Sequence, residues 1–387
     1  MLPGVDAAEV GRHIGFLSGV YAAGVLLGAP LWGFASDRVG RGRILIIGLV
    51  GYVASLLLLL IPAIAGLWGI YALRATTGFF VAAVVPVVSA LVAEHTPERQ
   101  RARRFAWLGA MSLLGFLFGP ALSAVAGWIE PWVAMGAASA VLSARLVLVL
   151  SALLGGVMML GLAVTLPASP ARDAAVQNKS AIAARRHPAA LLWLSGAVMF
   201  VLAGFELGIV LQGQQGQAPA GQSARQAAIM LAQCSLVMLA VNALLFVTSL
   251  LEKISARILI GAGLLLAVLG LTVLAADRSD AWMYLGVGLT SAGTGLVLPV
   301  IAYLAAGASP HKLGVVMGGL AAAAGFGQTL GSGAGGWLFG ELAHRSFGWL
   351  ALPLVVMLGL VLARPRWWSV IAVAPTTRPR SLPKRNG

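Results

Sequence analysis

Apolar and polar positions alternate along this chain in long blocks rather than residue by residue. Eleven apolar runs occupy residues 14–35, 44–65, 67–93, 105–129, 146–166, 189–211, 224–250, 258–275, 281–306, 313–339 and 347–362. Most hold about 20 residues or more, the length that carries a helix through the hydrocarbon core of a bilayer. They lack the two-residue alternation of barrel strands and are too long for them. An open strand edge cannot survive in hydrocarbon, where no water satisfies its backbone groups. The pattern therefore predicts an all-α membrane protein with eleven transmembrane helices.

Composition agrees. Of 387 residues, 59% are hydrophobic and 10% charged, with a mean hydropathy of +0.93. A soluble domain of this size needs far more charge to cover its surface. The formal net charge of +14 raises the question of a nucleic-acid partner. The basic residues sit in short loops without aromatic interleaving, so no nucleic acid is expected as a partner. Twenty of the 26 Lys and Arg fall in one alternate set of loops and in the tail, five fall in the opposite set, and Arg74 lies inside a run. Basic loops stay on the cytoplasmic side. The first set, which includes Arg38–Arg43 and Arg99–Arg104, is therefore inside, and the protein is expected in the bacterial-type inner (plasma) membrane. The one cysteine, Cys234, excludes an internal disulfide and reads as a small buried hydrophobe.

Residues 167–188 form the longest internal polar stretch and read as a cytoplasmic linker. It separates a first helical bundle, 1–166, from a second, 189–363. The basic, proline-rich tail, 364–387, is expected to lie near anionic lipid. A weak internal repeat relates the halves. Pro86 and Pro97 recur as Pro299 and Pro310, 213 residues later. Thr96–Pro97 and Ser309–Pro310 each read as an N-cap followed by a first-turn proline. Both following helices are expected to end at Gly–Trp, Gly127–Trp128 and Gly336–Trp337.

The loop after the first run reads Gly33-Phe-Ala-Ser-Asp37-Arg38-Val-Gly40-Arg41-Gly-Arg43. It resembles the signature of the major facilitator superfamily between helices 2 and 3, Gly-x-x-x-Asp-Arg-x-Gly-Arg-Lys/Arg. Gly42 departs from the pattern, and Arg43 can stand in for the missing base. Gly33 should permit a close helix contact and Gly40 a tight turn. The resemblance implies that this gating loop, with Asp37, Arg38 and Arg41, faces the helix opening near Ser309–Pro310 and latches the cytoplasmic side. It further implies two six-helix bundles. The first apolar run is then helix 2 of the family order, and helix 1 is absent. An upstream coding stretch for that helix is the expectation, from a misplaced start or a truncated gene.

Three internal features carry candidate chemistry. Arg74, with Ile70 and Gly78, resembles the family's helix-4 pattern, with Thr77 in place of the usual Gln. The resemblance implies a part in proton coupling. A structural ion pair, or a side chain snorkelling to the outer leaflet, accounts for the position as well. Gly115, Gly119 and Pro120 resemble the helix-5 motif of drug–proton antiporters, with Ser123 and Ala124 replacing its final glycines. Simple packing of small residues is the plainer alternative. Glu206 is the one carboxylate deep within a run. In an apolar cavity a carboxyl group can take up and release a proton near neutrality, or bind a cationic substrate. Alternatively it reaches water at the helix end, where Gln212, Gln214 and Gln215 follow.

Asn242, Gln233 and Gln328 are candidates for substrate hydrogen bonds or for helix joining. Phe205, Trp193 and Tyr303 are candidate cavity-lining residues. The five histidines show no metal-ligand spacing. No zinc-helix, phosphate-loop or nucleophile-elbow motif occurs, so no metal, no cofactor and no enzymatic activity are expected. The resemblance implies a secondary active transporter acting as a monomer. Its partners would be a small-molecule substrate, protons and membrane lipid, and the proton gradient would power efflux of a small amphipathic molecule or drug. The alternatives are a metabolite uptake symporter and a truncated membrane protein that transports nothing.

Overall fold

The structure, a computed structural model, describes residues 7–61, 66–96, 98–133, 140–165, 189–215, 220–248, 253–276, 280–308 and 313–363. All of its regular elements are helices. The first half holds α1 (Ala7–Val39), α2 (Arg41–Leu58), α3 (Leu67–Val81), α4 (Val84–His95), α5 (Glu98–Val133) and α6 (Ala140–Thr165). The second half holds α7 (Ala189–Gln215), α8 (Ala220–Val247), α9 (Ala256–Ala275), α10 (Asp280–Ala308), α11 (Leu313–Leu342) and α12 (Ser346–Ala363). The linker and the basic tail lie outside the described residues. Nine stretches of the described residues are long and apolar enough to cross a membrane, and one of them, Gly319–Ala363, contains both α11 and α12. With α5, a helix of 36 residues, every one of the eleven expected runs falls on helix.

One run is two elements. α3 and α4 are separated at Ala82–Ala83. Pro86 has no N–H to donate to the Ala82 carbonyl, so the ladder is interrupted there. The 213-residue interval between the proline pairs carries the whole of α10 onto 67–95, the span of α3 and α4 together, so the repeat extends to the helix boundaries. The expected helix start after Thr96 is present: Thr96 is extended and α5 opens at Glu98. Ser309 and Pro310 lie outside the described residues. The expected stops at Gly127–Trp128 and Gly336–Trp337 are corrected, since α5 runs on to Val133 and α11 to Leu342. Glycine does not stop a helix in hydrocarbon, where leaving the helix would strand backbone groups without water.

The larger core lies in the second half. Phe205, Phe339 and Phe347 are fully buried there with Ile260, Leu264, Leu271 and Ile301. Ring pairs Phe205–Phe347 and Phe339–Phe347 sit 6.4 and 6.2 Å apart, edge to face. Phe205 is therefore a core residue, not a cavity wall. Hydroxyls buried in this core donate to carbonyls of their own helix, as Thr290 does to Gly286 at 2.8 Å and Ser291 to Val287 at 2.6 Å. Without water, the helix backbone supplies the partner. Asn242 donates to Met238 and Gly295 carbonyls, and Gln233 to the Tyr284 carbonyl. Both side chains thus fasten α8 to α10.

The two halves meet at the end of α1 away from the Arg38–Arg43 loop. Gly11, Gly15 and Gly19 of α1 lie against Ser332, Gly333, Gly336 and Gly340 of α11, backbone on backbone. Arg12 and Glu341 flank this seam with an ion pair of 3.9 Å. Further in, Leu26 still touches Gly325, but a side chain at Gly33 would meet nothing within 4 Å. No close helix contact at Gly33 occurs among the described residues. α1 packs on α11 through Gly11, Gly15 and Gly19, and its second half packs on α3, where Gly24 and Gly28 approach the Ala75 and Phe79 carbonyls and Trp32 donates to the Phe79 carbonyl at 2.7 Å. On the opposite face, Arg257 at the start of α9 donates to the Val361 and Leu362 carbonyls at the end of α12.

Candidate functional site

Helix geometry places Glu206. Gly204 and Gly208, four residues apart, share one face of α7. The first lies against the Gly331 carbonyl and Leu350, the second against Phe347. These contacts seat α7 on α11 and α12. Glu206 is about 200° around the helix from Gly204, so it turns away from that seam. There it lines a cavity of about 390 Å³ between the halves, within the range of about 300–1,000 Å³ typical of small-molecule pockets. Val210 lies one turn further along α7, Leu231, Cys234 and Ser235 come from α8, and Gly115 and Gly119 come from α5.

Two motifs far apart in the chain thus meet here. The helix-5 glycines were read as packing residues or as an antiporter mark. A side chain built on either would meet nothing within 4 Å. They leave space rather than fill a helix contact. Pro120 lies in α5, with its side chain outside the described ones. Glu206 Oε1 is buried and has no hydrogen-bond partner among the described residues. Trp193 and Tyr303, in contrast, are largely exposed and away from this cavity.

Arg74 lies on α3 and is fixed by two neighbouring helices. Gly78, one turn on, packs so closely on α1 that an added Cβ would lie 2.1 Å from the Tyr21 carbonyl oxygen. That approach sets the Arg74 guanidinium over the Tyr21 ring, 4.8 Å from its centroid. Thr77, which stands where the family has Gln, donates to Ser55 of α2 at 2.9 Å. No carboxylate pairs with Arg74 among the described residues, and its Nε has no hydrogen-bond partner. The aromatic face is the partner that the sequence did not indicate. A desolvated cation–π contact is worth about 2 kcal/mol. Tyr21→Leu is therefore expected to lower the thermal unfolding midpoint in detergent, while Tyr21→Phe, which keeps the ring, stays near wild type. Equal losses in the two variants would assign the effect to the hydroxyl.

In the gating loop, Gly40 adopts φ 105°, a left-handed region open to glycine. The tight turn read at this position is present. Arg41 donates to Ser36 Oγ at 2.6 Å, and Ser36 donates to the Gly33 carbonyl at 2.7 Å. Arg38 stacks on Phe34, 4.1 Å from the ring centroid. The loop is thereby braced on the end of α1. Asp37 lies in α1, and its side chain is outside the described ones, as are those of the first turn of α11.

Two helical bundles, a cavity between them and a seam closed on one side define a membrane transporter of the two-bundle kind. The chain belongs to the Major Facilitator Superfamily, whose sequence profile matches residues 4–245. It is 35% identical to the class B tetracycline resistance protein of Escherichia coli over 127 residues, 33% of this chain and 31% of that one. It is 27% identical to the quinolone resistance protein NorA of Staphylococcus aureus over 118 residues, 30% of each. The matched stretch thus spans less than a third of either relative. A bacterial homolog of the human lysosomal transporter Spinster, solved in an inward-facing and occupied conformation, shares the fold. It superposes with a TM-score of 0.66 at 16% identity, covering 94% of this chain and 91% of that one. The family and its solved neighbours are transporters, not enzymes, and the chain is a multi-pass protein of the inner membrane.

Proposed function

We propose that this chain is a proton-coupled exporter of small amphipathic molecules. The observation that carries the reading is the cavity between α5, α7 and α8, with one carboxylate in a mostly apolar wall. A carboxylate there has two stable ways to be neutralised: a proton or a cationic group on the cargo. Binding of one excludes the other, which is what exchange requires. Rocking of the halves about the α1–α11 seam would present the site to each side in turn. The stretch shared with tetracycline and quinolone resistance proteins supports drug-like cargo.

The test uses the full chain in liposomes loaded with ethidium or tetracycline. An imposed proton gradient, acid on the side that the basic loops do not face, is expected to drive cargo toward that side, and an uncoupler is expected to abolish the flux. Cargo moving with the protons would make the protein an uptake symporter. No flux with any of a dye and antibiotic panel would leave it a membrane protein without transport.

A further inference from the structure

We infer that the slot between the start of α7 and the end of α12 is a binding site for an anionic phospholipid, with Arg257 holding the lipid phosphate. The slot lies apart from the cavity at Glu206, and the inference does not depend on the transport reading.

Two helix ends form the slot. Leu191, Trp193 and Leu194 of α7 and Met357, Leu360 and Val361 of α12 line an apolar space of about 230 Å³. Met357 and Val361 are one turn apart, so the slot runs about 6 Å along α12. Apart from the Trp193 indole, no side chain of this wall donates a hydrogen bond. Trp193 is 69% exposed. An indole near a helix end sits at the level of the lipid headgroups, with its ring toward the acyl chains.

A cation stands at the rim. Arg257 Nε donates to the Val361 carbonyl at 3.1 Å, and Nη2 donates to the Leu362 carbonyl at 2.7 Å. Val361 therefore belongs both to the slot and to the anchor of the guanidinium. Those bonds use two of the five guanidinium N–H donors, and the others are left for a ligand. No carboxylate pairs with Arg257 among the described residues. The dipole of α12 offsets about half of its charge, so the rim stays positive. Lys253, exposed, precedes α9 at the same end. In the sequence, Arg185 and Arg186 precede α7, and Arg364 and Arg366 follow α12.

The slot seats an acyl chain without choosing among lipids, because lipid tails are as apolar as the wall. The choice is made at the headgroup. A phosphate oxygen accepts charge-assisted bonds from a guanidinium already fixed in place. The ammonium of a choline headgroup would lie near that guanidinium and repel it. A glycerol headgroup brings no second cation. A base near the membrane surface favours an anionic lipid about fivefold.

The full chain in detergent is given equal amounts of dioleoyl phosphatidylglycerol and dioleoyl phosphatidylcholine. Native mass spectrometry counts the retained lipid, and the unfolding midpoint is measured with each lipid alone. Wild type is expected to retain phosphatidylglycerol about fivefold or more over phosphatidylcholine and to gain stability from it. Arg257→Gln is expected to lose both the preference and the gain. Ala190 also lines the slot, and Ala190→Trp, which fills it while leaving Arg257 in place, is expected to retain one phosphatidylglycerol fewer. Millimolar inorganic phosphate should displace none of it. The inference is overturned if wild type retains the two lipids equally, if Arg257→Gln keeps the preference, if Ala190→Trp retains as much as wild type, or if phosphate displaces the lipid. The readout is the change on adding lipid, so a lower starting stability from loss of the Arg257 bonds to α12 does not imitate the result. If Arg257→Gln fails to fold, the wild-type preference and Ala190→Trp still decide.

Discussion

Glu206→Gln is expected to abolish proton-driven flux while leaving the protein folded in the membrane. Glutamine keeps the size and one acceptor oxygen of glutamate but cannot carry a proton at physiological pH. Glu206 is the carboxylate that lines the cavity, and no other lining residue among those described is acidic. Flux driven by a pH gradient should therefore fall by about two orders of magnitude or more, the scale of losing a positioned proton carrier. Downhill movement of cargo along its own gradient should fall much less, because the cavity and its apolar wall remain. The two rates, measured side by side in liposomes, discriminate loss of coupling from loss of the protein. Retention of pH-driven flux in a folded Glu206→Gln protein would remove this residue from the mechanism. Folding of the variant is checked by its thermal unfolding midpoint. That midpoint should not fall, since Glu206 Oε1 is buried without a hydrogen-bond partner among the described residues, and an oxygen so placed contributes nothing favourable to the folded state.

Gly336→Val should keep the outer seam from closing. A Cβ at this position would lie 2.4 Å from Gly15 Cα and 2.8 Å from the Gly11 carbonyl oxygen. Both neighbours are backbone, so no side chain can swing aside. Valine adds more bulk than the Cβ alone, and overpacking of this kind costs about 1–3 kcal/mol or more. That cost falls only on the conformer with α1 and α11 in contact. The population should shift by a factor of about ten or more toward an outward-open form, with transport reduced because one half of the cycle is penalised. Spin labels at Glu9→Cys and Arg345→Cys, in a Cys234→Ser background, report the separation directly. A longer label distance and slower flux are the expected outcome. An unchanged distance would show that the seam absorbs the bulk and is not a closing surface. Replacing Arg12 or Glu341 should have a smaller effect, since a half-exposed ion pair is worth about 1 kcal/mol or less.

Much of the protein was legible before any coordinates. Hydrocarbon permits few solutions, so long apolar runs fix helices. The tight turn at Gly40 was legible for a similar reason, because the residue type and the required backbone geometry coincide. What failed were assignments of a local role to residues whose role depends on what lies opposite. Gly127 and Gly336 were read as helix stops, yet both helices continue because nothing polar awaits the backbone outside them. Phe205 was read as cavity wall and is core, next to Gly204 and packed edge to face against Phe347. Arg74 was read with no named partner, and its contact, the Tyr21 ring, lies on another helix more than fifty residues away.

The all-helical, membrane-spanning character is a property of each segment against a uniform solvent, and for that reason the chain alone indicated it. The site is a property of distance between segments. Gly115, Gly119 and Glu206 were each visible as unusual, but only the packing of α5 beside α7 and α8 makes them walls of one cavity. The same holds for the α1–α11 seam: glycines four apart occur on many helices here, and only contact across the two halves turns this set into a closing surface.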